Sequence, residues 1–176
     1  MIISWVIIII LGILFLFIYN SIQSPKQAVK EGEADIEVQL ERRSSLIPNL
    51  VATVQGYATH EKTLLEEITE LRGQAYNLKA ANLQQRSQVE NALGEKMVTL
   101  FANMENYPDL KANQQYLQLQ NELTKTEDEI ASARRIYNEN VAVYNTKVAT
   151  FPTLLVAAIL RYKPAVFFSA ETKDAA

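Results

Sequence analysis

Cysteine is absent from this chain of 176 residues, and His60 is its only histidine. The lack of cysteine excludes disulfides, thiolate metal sites, cysteine nucleophiles and lipid attachment through cysteine. A zinc motif on a helix needs a second histidine four residues after the first, and Leu64 stands there instead. We therefore interpret His60 as part of a turn at a helix end, and we expect no metal site.

The sequence also lacks the common catalytic motifs. The chain has no glycine-rich phosphate loop, no Gly-x-Ser-x-Gly elbow and no Ser-Lys arrangement. Glu66, Glu67 and Glu70 lie close together, but a di-iron bundle would also need histidines on facing helices. We interpret these glutamates as a solvated face. The sequence thus predicts neither an enzyme nor a cofactor.

Basic residues are fewer than acidic ones, 17 against 20, which gives a formal net charge of −3. Duplex nucleic acid is bound by clustered positive charge. The sequence therefore predicts no nucleic-acid partner.

Charge is missing altogether from residues 2–18. A helix needs about 17–25 apolar residues to cross a bilayer, so this run is long enough. A cleaved signal peptide would begin with basic residues and end at a small-residue cleavage site. No Lys or Arg precedes this run, and Tyr19 follows it directly. The sequence predicts an uncleaved transmembrane anchor over residues 2–20. Because such an anchor is embedded in the bilayer, membrane lipid is a predicted partner. The residues assigned to its ends, where aromatic rings favour the interface, are Ile2, Trp5, Ile18 and Tyr19.

Basic residues lie on the C-terminal side of this run. Lys26 and Lys30 follow it closely, and Arg42 and Arg43 come shortly after. Cytoplasmic flanks of membrane spans carry an excess of Lys and Arg. This distribution predicts a single-pass protein with its N-terminus outside and its body in the cytoplasm.

Beyond the anchor, apolar residues recur at alternating spacings of three and four, the pattern of a coiled-coil-like seam. Ser24-Pro25 has the form of a helix start, and breaks are indicated at residues 56–60 and 106–109. With five glycines and five prolines in all, the sequence predicts an all-α fold. Its parts are an N-terminal transmembrane helix and an up-and-down antiparallel four-helix bundle over residues 24–151. One continuous helix over residues 60–106 is the alternative topology.

The predicted seams are Ile36, Leu40, Arg43, Ile47, Leu50, Val54, Tyr57; Leu64, Ile68, Leu71, Ala75, Leu78; Val89, Leu93, Met97, Leu100, Met104; and Tyr116, Leu119, Leu123, Thr126, Ile130, Ala133, Tyr137, Val141, Tyr144, Val148, Phe151.

The segment 152–168 is apolar but too short to span a bilayer. The predicted topology returns it to the membrane, where it would lie in the interface with basic side chains toward phosphates. Packing against the base of the bundle is the alternative. Its membrane-proximal residues are Arg161, Lys163, Phe167 and Phe168, and residues 169–176 are predicted to be a disordered tail.

Two arginine pairs, Arg42-Arg43 and Arg134-Arg135, lie on or beside seams. A buried arginine needs a carboxylate partner, and the candidates are Asp35, Glu127 and Asp128. These arginines are predicted to form a structural ion pair or an interaction site. The alternative is that they snorkel, with buried stems and heads in water.

Six segments of this chain closely resemble the bacterial LemA family. They include Arg42-Arg43, the break at Tyr107-Pro108-Asp109 and Arg134-Arg135, and they cover residues 35–51, 56–62, 107–124, 133–138, 151–152 and 162–168. The sequence departs from the family pattern just before Asp35, where Gly32-Glu33 replaces a small-aromatic pair. The resemblance implies a single-pass membrane protein with an all-helical up-and-down bundle. It implies no catalytic residues, and relatives in magnetosome-forming bacteria look like membrane-shaping proteins.

Together these observations favour a structural role. The sequence and the resemblance predict a membrane-anchored scaffold or interaction protein at the bacterial inner membrane, associating with copies of itself and shaping the membrane. The alternative is a regulatory or adaptor subunit of another membrane protein, such as a protease, or a sensor of envelope state. An enzyme based on a carboxylate cluster is the least favoured reading, because no nucleophile, base and orienting group occur together.

Overall fold

The computed structural model describes residues 2–78 and 83–168, and within these ranges it is helical and contains no strand. The all-α prediction is therefore confirmed. The elements are α1 (Ile2–Gln55), a 3₁₀ turn (Thr59–Glu61), α2 (Lys62–Asn77), α3 (Leu83–Met104), α4 (Pro108–Lys111), α5 (Gln114–Ala149) and α6 (Thr153–Ile159).

The predicted helix start at Ser24-Pro25 is wrong. The apolar run and the first helix of the body form one continuous helix, α1, of 54 residues. Proline removes one backbone hydrogen bond from a helix, but tertiary packing commonly overrides such a local preference. Ile22 and Val29, on either side of Pro25, pack into the same apolar cluster. These contacts carry the helix past the proline.

The described chain divides into two compact units, each containing part of α1 and part of α5. The first unit comprises residues up to Asp35 together with Arg134–Phe167, and the second comprises Ile36–Ala133 together with Phe168. In the first unit α1 and α5 are antiparallel. The Asn140 side chain bonds the Ala28 carbonyl at 3.0 Å, and Gly32 lies against Tyr137.

In the second unit α2 and α3 form an antiparallel hairpin. Lys96 bonds Glu67 (Nζ–Oε2 2.6 Å), whereas Asn103, further along α3, bonds Glu61 (Nδ2–Oε2 2.8 Å) at the start of α2. The alternative of one continuous helix over residues 60–106 is therefore wrong. Folding back lets both helices bury apolar side chains against one core. That core consists of Ile47, Leu50, Val54, Ala58, Leu65, Ile68, Leu93, Met97, Leu100, Met104, Leu110, Tyr116, Leu119 and Leu123.

The predicted seams of α1 and α5 are confirmed as buried rows, except that their last residues, Tyr57 and Phe151, are exposed. On α2 the inward row begins at Leu65, and Leu64 is only half-buried. On α3 it passes through Glu90, and Val89 is half-buried. The other predicted residues of α3, Leu93, Met97, Leu100 and Met104, are buried. The apolar pattern misplaces only the first position of this row, because a carboxylate occupies it. The coiled-coil supercoil itself stays a prediction.

Pro48 lies in the interior of α1, where its missing N–H leaves the Ser44 carbonyl without its usual helical donor. Arg72 of α2 supplies a donor instead, because its Nε lies 2.6 Å from the Ser44 carbonyl oxygen. Arg72 occupies the inward row of α2, four residues after the buried Ile68. The second unit thus tolerates the proline through a bond between helices.

We expect Arg72→Met to lower the free energy of unfolding by about 1–3 kcal/mol, the usual cost of leaving a buried polar group unsatisfied. In a Pro48→Ala background the same substitution should cost much less, because residue 48 then donates to Ser44. A double-mutant cycle on unfolding free energies measures this coupling. Equal costs of Arg72→Met in both backgrounds would show that the bond does not compensate for the proline.

Gly32 marks a close approach of α1 to α5. A Cβ built on Gly32 would lie 3.1 Å from the Tyr137 Cα, a backbone atom that cannot move aside. This packing gives a physical reason for glycine at the position where the sequence departs from the LemA pattern.

We expect Gly32→Ala to destabilise the protein by about 1–3 kcal/mol through overpacking. Gly73→Ala is the matched control, since no described atom lies within 4 Å of its added Cβ. That control should gain about 0.5–1 kcal/mol from helix propensity alone. Chemical denaturation of both variants tests the contrast, and a gain at both positions would contradict the close approach.

Candidate functional site

Residues 2–18 supply a long apolar surface. Every side chain from Ile2 to Phe17 is exposed, including Trp5 and its neighbours. Within residues 2–78 and 83–168, α1 is the one helix long and apolar enough to cross a membrane. The bent pair α5 and α6, at an angle of 89°, would be a second only if both helices formed one broken span. An exposed apolar surface of this size marks a membrane or protein interaction site.

The helix α6 packs directly beside the end of this apolar run. Val156 and Ala157 are buried against Ile22 of α1 and against Tyr144 and Val148 of α5. Ile18, the last residue of the apolar run, packs against the same cluster. The C-terminal segment therefore lies at the point where α1 would leave the bilayer.

Side chains of α5 hold the extended segment after α6 by its backbone. The Tyr137 hydroxyl donates to the Val166 carbonyl at 2.8 Å, and the Tyr144 hydroxyl donates to the Lys163 carbonyl at 3.1 Å. The Asn145 amide donates to the Ala165 carbonyl at 3.0 Å and accepts from its N–H at 2.8 Å. Burial, aided by the nearby Glu33, raises the pKa of Tyr137 to about 12, so its hydroxyl stays a donor at neutral pH.

Tyr162 ties the same segment to α1. Gln23 Nε2 donates to its hydroxyl at 2.6 Å, and Lys26 Nζ lies 4.4 Å from the centre of its ring. A cation over an aromatic face is attracted by the ring quadrupole. The segment is thus fixed to both helices of the first unit.

The opposite side of α6 is apolar and exposed. Thr153, Val156 and Ala157 face the protein, whereas Leu155 and Ile159 are 57% and 70% exposed. We name this surface the apolar shelf; it consists of Phe151, Leu154, Leu155 and Ile159. Val166 and Phe167 are also exposed, but Tyr137 holds Val166 beside Gly32, fourteen residues beyond Ile18 on α1, so these two residues are not part of the shelf. Phe168, which we predicted to be membrane-proximal together with Phe167, is buried and is not available on this surface. Clustered exposed apolar side chains mark an interaction surface.

Charge is distributed unevenly around the shelf. Residues 2–30 and 140–168 contain five basic residues and no acidic residue. The remaining residues contain 12 basic and 20 acidic ones, which gives 12 − 20 = −8. The segments next to the apolar run are therefore positive, and the rest of the chain is negative. The five basic residues, here called the basic collar, are Lys26, Lys30, Lys147, Arg161 and Lys163.

A buried ion cluster lies in the second unit. Arg43 is 1% exposed, and its Nη1 contacts both carboxylate oxygens of Glu127, at 2.8 and 3.0 Å. Its Nη2 bonds the Glu90 carboxylate and, at 3.1 Å, the Glu90 carbonyl. Hydrogen bonds between charged groups of this kind are about twice as strong as bonds between neutral groups. Arg43 therefore connects α1 to both α3 and α5.

The cluster continues to the surface through Arg86. This residue bonds Glu37 of α1, and its Nε lies 3.6 Å from a second oxygen of Glu90. The five side chains alternate in sign in the order Glu127, Arg43, Glu90, Arg86 and Glu37. Alternation lets each buried charge find an opposite neighbour, which offsets the large cost of removing it from water.

Two arginines border a cavity of about 180 Å³ between α1, α2 and α3. Arg72 and Arg86 line it together with Ser44, Tyr76 and Glu90. Arg72 bonds a backbone carbonyl and Arg86 bonds glutamates, so both guanidinium groups are already engaged. The described residues contain no group of three or more potential metal ligands, and His60 is exposed in the 3₁₀ turn.

The predicted arginines have different environments. Arg43 is paired with Glu127, and its 1% exposure rules out the snorkelling alternative for it. Arg42 is exposed, Arg134 is half-buried, and Arg135 pairs on the surface with Glu139 at 3.1 Å. The other predicted carboxylate partners of the arginines, Asp35 and Asp128, are exposed.

Sequence reasoning missed Glu90, Arg86 and Glu37. A usable signal existed for Glu90, because the alternating spacing of three and four traced backwards from Leu93 reaches Glu90. An acidic residue at that position, facing an arginine at a seam position of α1, indicates a buried pair.

Comparison with known proteins finds relatives that align with most of this chain. It is 30% identical over 166 residues to Protein LemA of Metamycoplasma hominis, covering 90% of this chain and 74% of that protein. It is 23% identical over 174 residues to magnetosome protein MamQ 2 of Paramagnetospirillum magneticum and to magnetosome protein MamQ of Magnetospirillum gryphiswaldense. These matches cover 85% of this chain but only 64% of each magnetosome protein. The LemA family model matches residues 32–176, which include the ion cluster, the shelf and the tyrosines that hold it. The match over this length and the relative at 30% identity show that the chain belongs to the LemA family.

Proposed function

We propose that this protein is a membrane-anchored helical scaffold that associates with copies of itself at the bacterial inner membrane. The observation that carries the proposal is the exposed apolar surface of α1 from Ile2 to Phe17. Confinement by such an anchor raises the local concentration, so weak lateral contacts suffice for assembly. The role is structural rather than catalytic, and the magnetosome proteins among its relatives support a role at membranes.

The orientation we propose places the body in the cytoplasm. Lys26 and Lys30 of the basic collar follow the apolar run closely in the sequence. Positive flanks of membrane spans remain on the cytoplasmic side.

We assign the lateral contact to the outer face of α5 within the first unit. Ile136 and Val143 are 43% and 54% exposed and lie seven residues apart, on one face of the helix. Val143 also lines a shallow groove with Ala142, Thr146 and Thr150. A face of this kind, held parallel to its copies by a common membrane, suits side-by-side association.

Native mass measurement of the full-length chain in lipid nanodiscs or mild detergent tests this assignment. The unaltered chain should form oligomers, and Val143→Arg combined with Ile136→Arg should reduce them to monomers. Ala131→Arg combined with Thr124→Arg is the matched control, because it also adds two arginines at exposed positions, on another face of α5. A strict monomer, both in detergent and after crosslinking in membranes, would contradict self-association. Stoichiometric recovery of another membrane protein without a homo-oligomer would support an adaptor or regulatory subunit instead.

A further inference from the structure

We propose that the apolar shelf and the basic collar together bind the surface of an anionic bilayer, as a second membrane contact beside α1. This inference rests on the membrane anchorage in the proposed function and adds a second lipid site to it. The shelf would lie among the acyl chains nearest the headgroups, and the collar would contact lipid phosphates. The C-terminal segment would thus be part of the membrane attachment.

The position of the shelf within the first unit identifies its occupant. Its inner side packs against Ile18 and Ile22, at the end of the apolar run that enters the bilayer. A surface this close to the exit of α1 meets the interface once the run is embedded. Interfacial helices bury their apolar face at this depth. The shelf therefore continues a lipid-facing surface that begins on α1.

The charges around the shelf agree with lipid as the occupant. Arg161 and Lys163 follow α6 directly and are exposed, and Lys147 lies just before it on α5. No acidic residue occurs within residues 140–168, so no carboxylate in these segments repels an anionic surface. Anionic lipids attract basic residues that lie within a Debye length of the membrane. A protein partner would more often meet a mixed-sign rim around an apolar centre.

The attachment of the segment to α1 and α5 gives the contact its geometry. Five hydrogen bonds with the side chains of Tyr137, Tyr144, Asn145 and Gln23 fix residues 162–166 to the two helices. The shelf is therefore presented in a defined orientation and is not a loose tail. One embedded helix alone would let the first unit rotate about its axis, and a second contact restrains that rotation.

Site-specific fluorescence quenching of the full chain in vesicles tests the proposal. The chain contains no cysteine, so one introduced cysteine carries one environment-sensitive label. Labels at Leu155 and Ile159 report on the shelf, a label at Ile9 reports on α1, and a label at the exposed Val38 is the aqueous control. The vesicles combine phosphatidylcholine and phosphatidylglycerol with nitroxide-labelled lipid.

We expect the lipid-borne nitroxide to reduce the fluorescence at positions 155 and 159 to an extent comparable with position 9, and to leave position 38 bright. Removing phosphatidylglycerol, or replacing Arg161 and Lys163 by glutamine, should weaken quenching at 155 and 159 but not at 9. Quenching at position 9 with none at 155 and 159 would overturn the shelf proposal and leave the anchored scaffold intact. Absence of quenching at position 9 would overturn the anchor itself. If neither the lipid nitroxide nor aqueous iodide quenches the labels at 155 and 159, another protein surface covers the shelf. That result would also overturn lipid binding.

Discussion

Replacing Arg43 by methionine should lower the free energy of unfolding by about 3–5 kcal/mol, the usual cost of breaking a buried ion pair from one side. Glu90 is 4% exposed, and without the Arg43 guanidinium its charge would stay buried beside Arg86. Glu127 would lose both of its contacts with Arg43. Unfolding by denaturant in detergent micelles, followed by circular dichroism, measures the loss.

Two further variants distinguish the contribution of the ion cluster to stability from the effect of removing any arginine. Arg42→Met removes the same charge from the neighbouring exposed position and should change stability by less than about 0.5 kcal/mol. Arg43→Met combined with Glu90→Met removes both buried charges and should recover much of the loss, as buried ion pairs replaced by apolar groups often do. Equal stability of the Arg42 and Arg43 single variants would contradict the structural role of the cluster.

Placing two arginines in the apolar run, Leu11→Arg with Leu14→Arg, should release the protein from membranes. On the insertion scale, about fifteen residues such as Ile, Leu and Phe contribute about 5–9 kcal/mol, and two central arginines oppose this by about 5–7 kcal/mol. The two terms nearly cancel, so insertion is no longer favoured. Flotation of membranes on a density gradient measures the bound fraction.

The matched control for this variant lies on the same helix. Val38 is 60% exposed and belongs to α1 beyond the apolar run, so Val38→Arg adds charge without entering the bilayer. It should float with membranes as the unaltered chain does. If the double variant also floats after a wash at high salt, residues 2–18 are not what holds the protein in the membrane.

Most of the buried core could be predicted from the sequence, because its apolar residues recur at simple intervals. Intervals of three and four, with two fours in succession at Ala133, Tyr137 and Val141, locate the buried row of α5 from Tyr116 to Val148. The same rule fails at Glu90, because apolar periodicity cannot register a carboxylate that is buried by pairing with Arg43. It also fails at Ser24-Pro25, where contacts of Ile22 and Val29 with distant residues override the local preference of proline.

The membrane-proximal segment shows a different limit. The sequence left open whether residues 152–168 lie in the interface or pack on the bundle. In the structure the inner side of α6 packs against α1 and α5, while Leu155 and Ile159 on the outer side remain exposed. Both sides of this helix are apolar, so no amphipathic pattern could separate them. Only the tertiary placement of Val156 beside Ile22 shows which side is free.

Extraction of bacterial membranes with alkaline carbonate tests the central claim, that α1 is embedded in lipid. The unaltered chain should remain in the membrane pellet and should be released only by detergent, because a spanning helix cannot partition into water. Intact protein in the carbonate supernatant would contradict the anchor, and with it the scaffold and the second lipid contact.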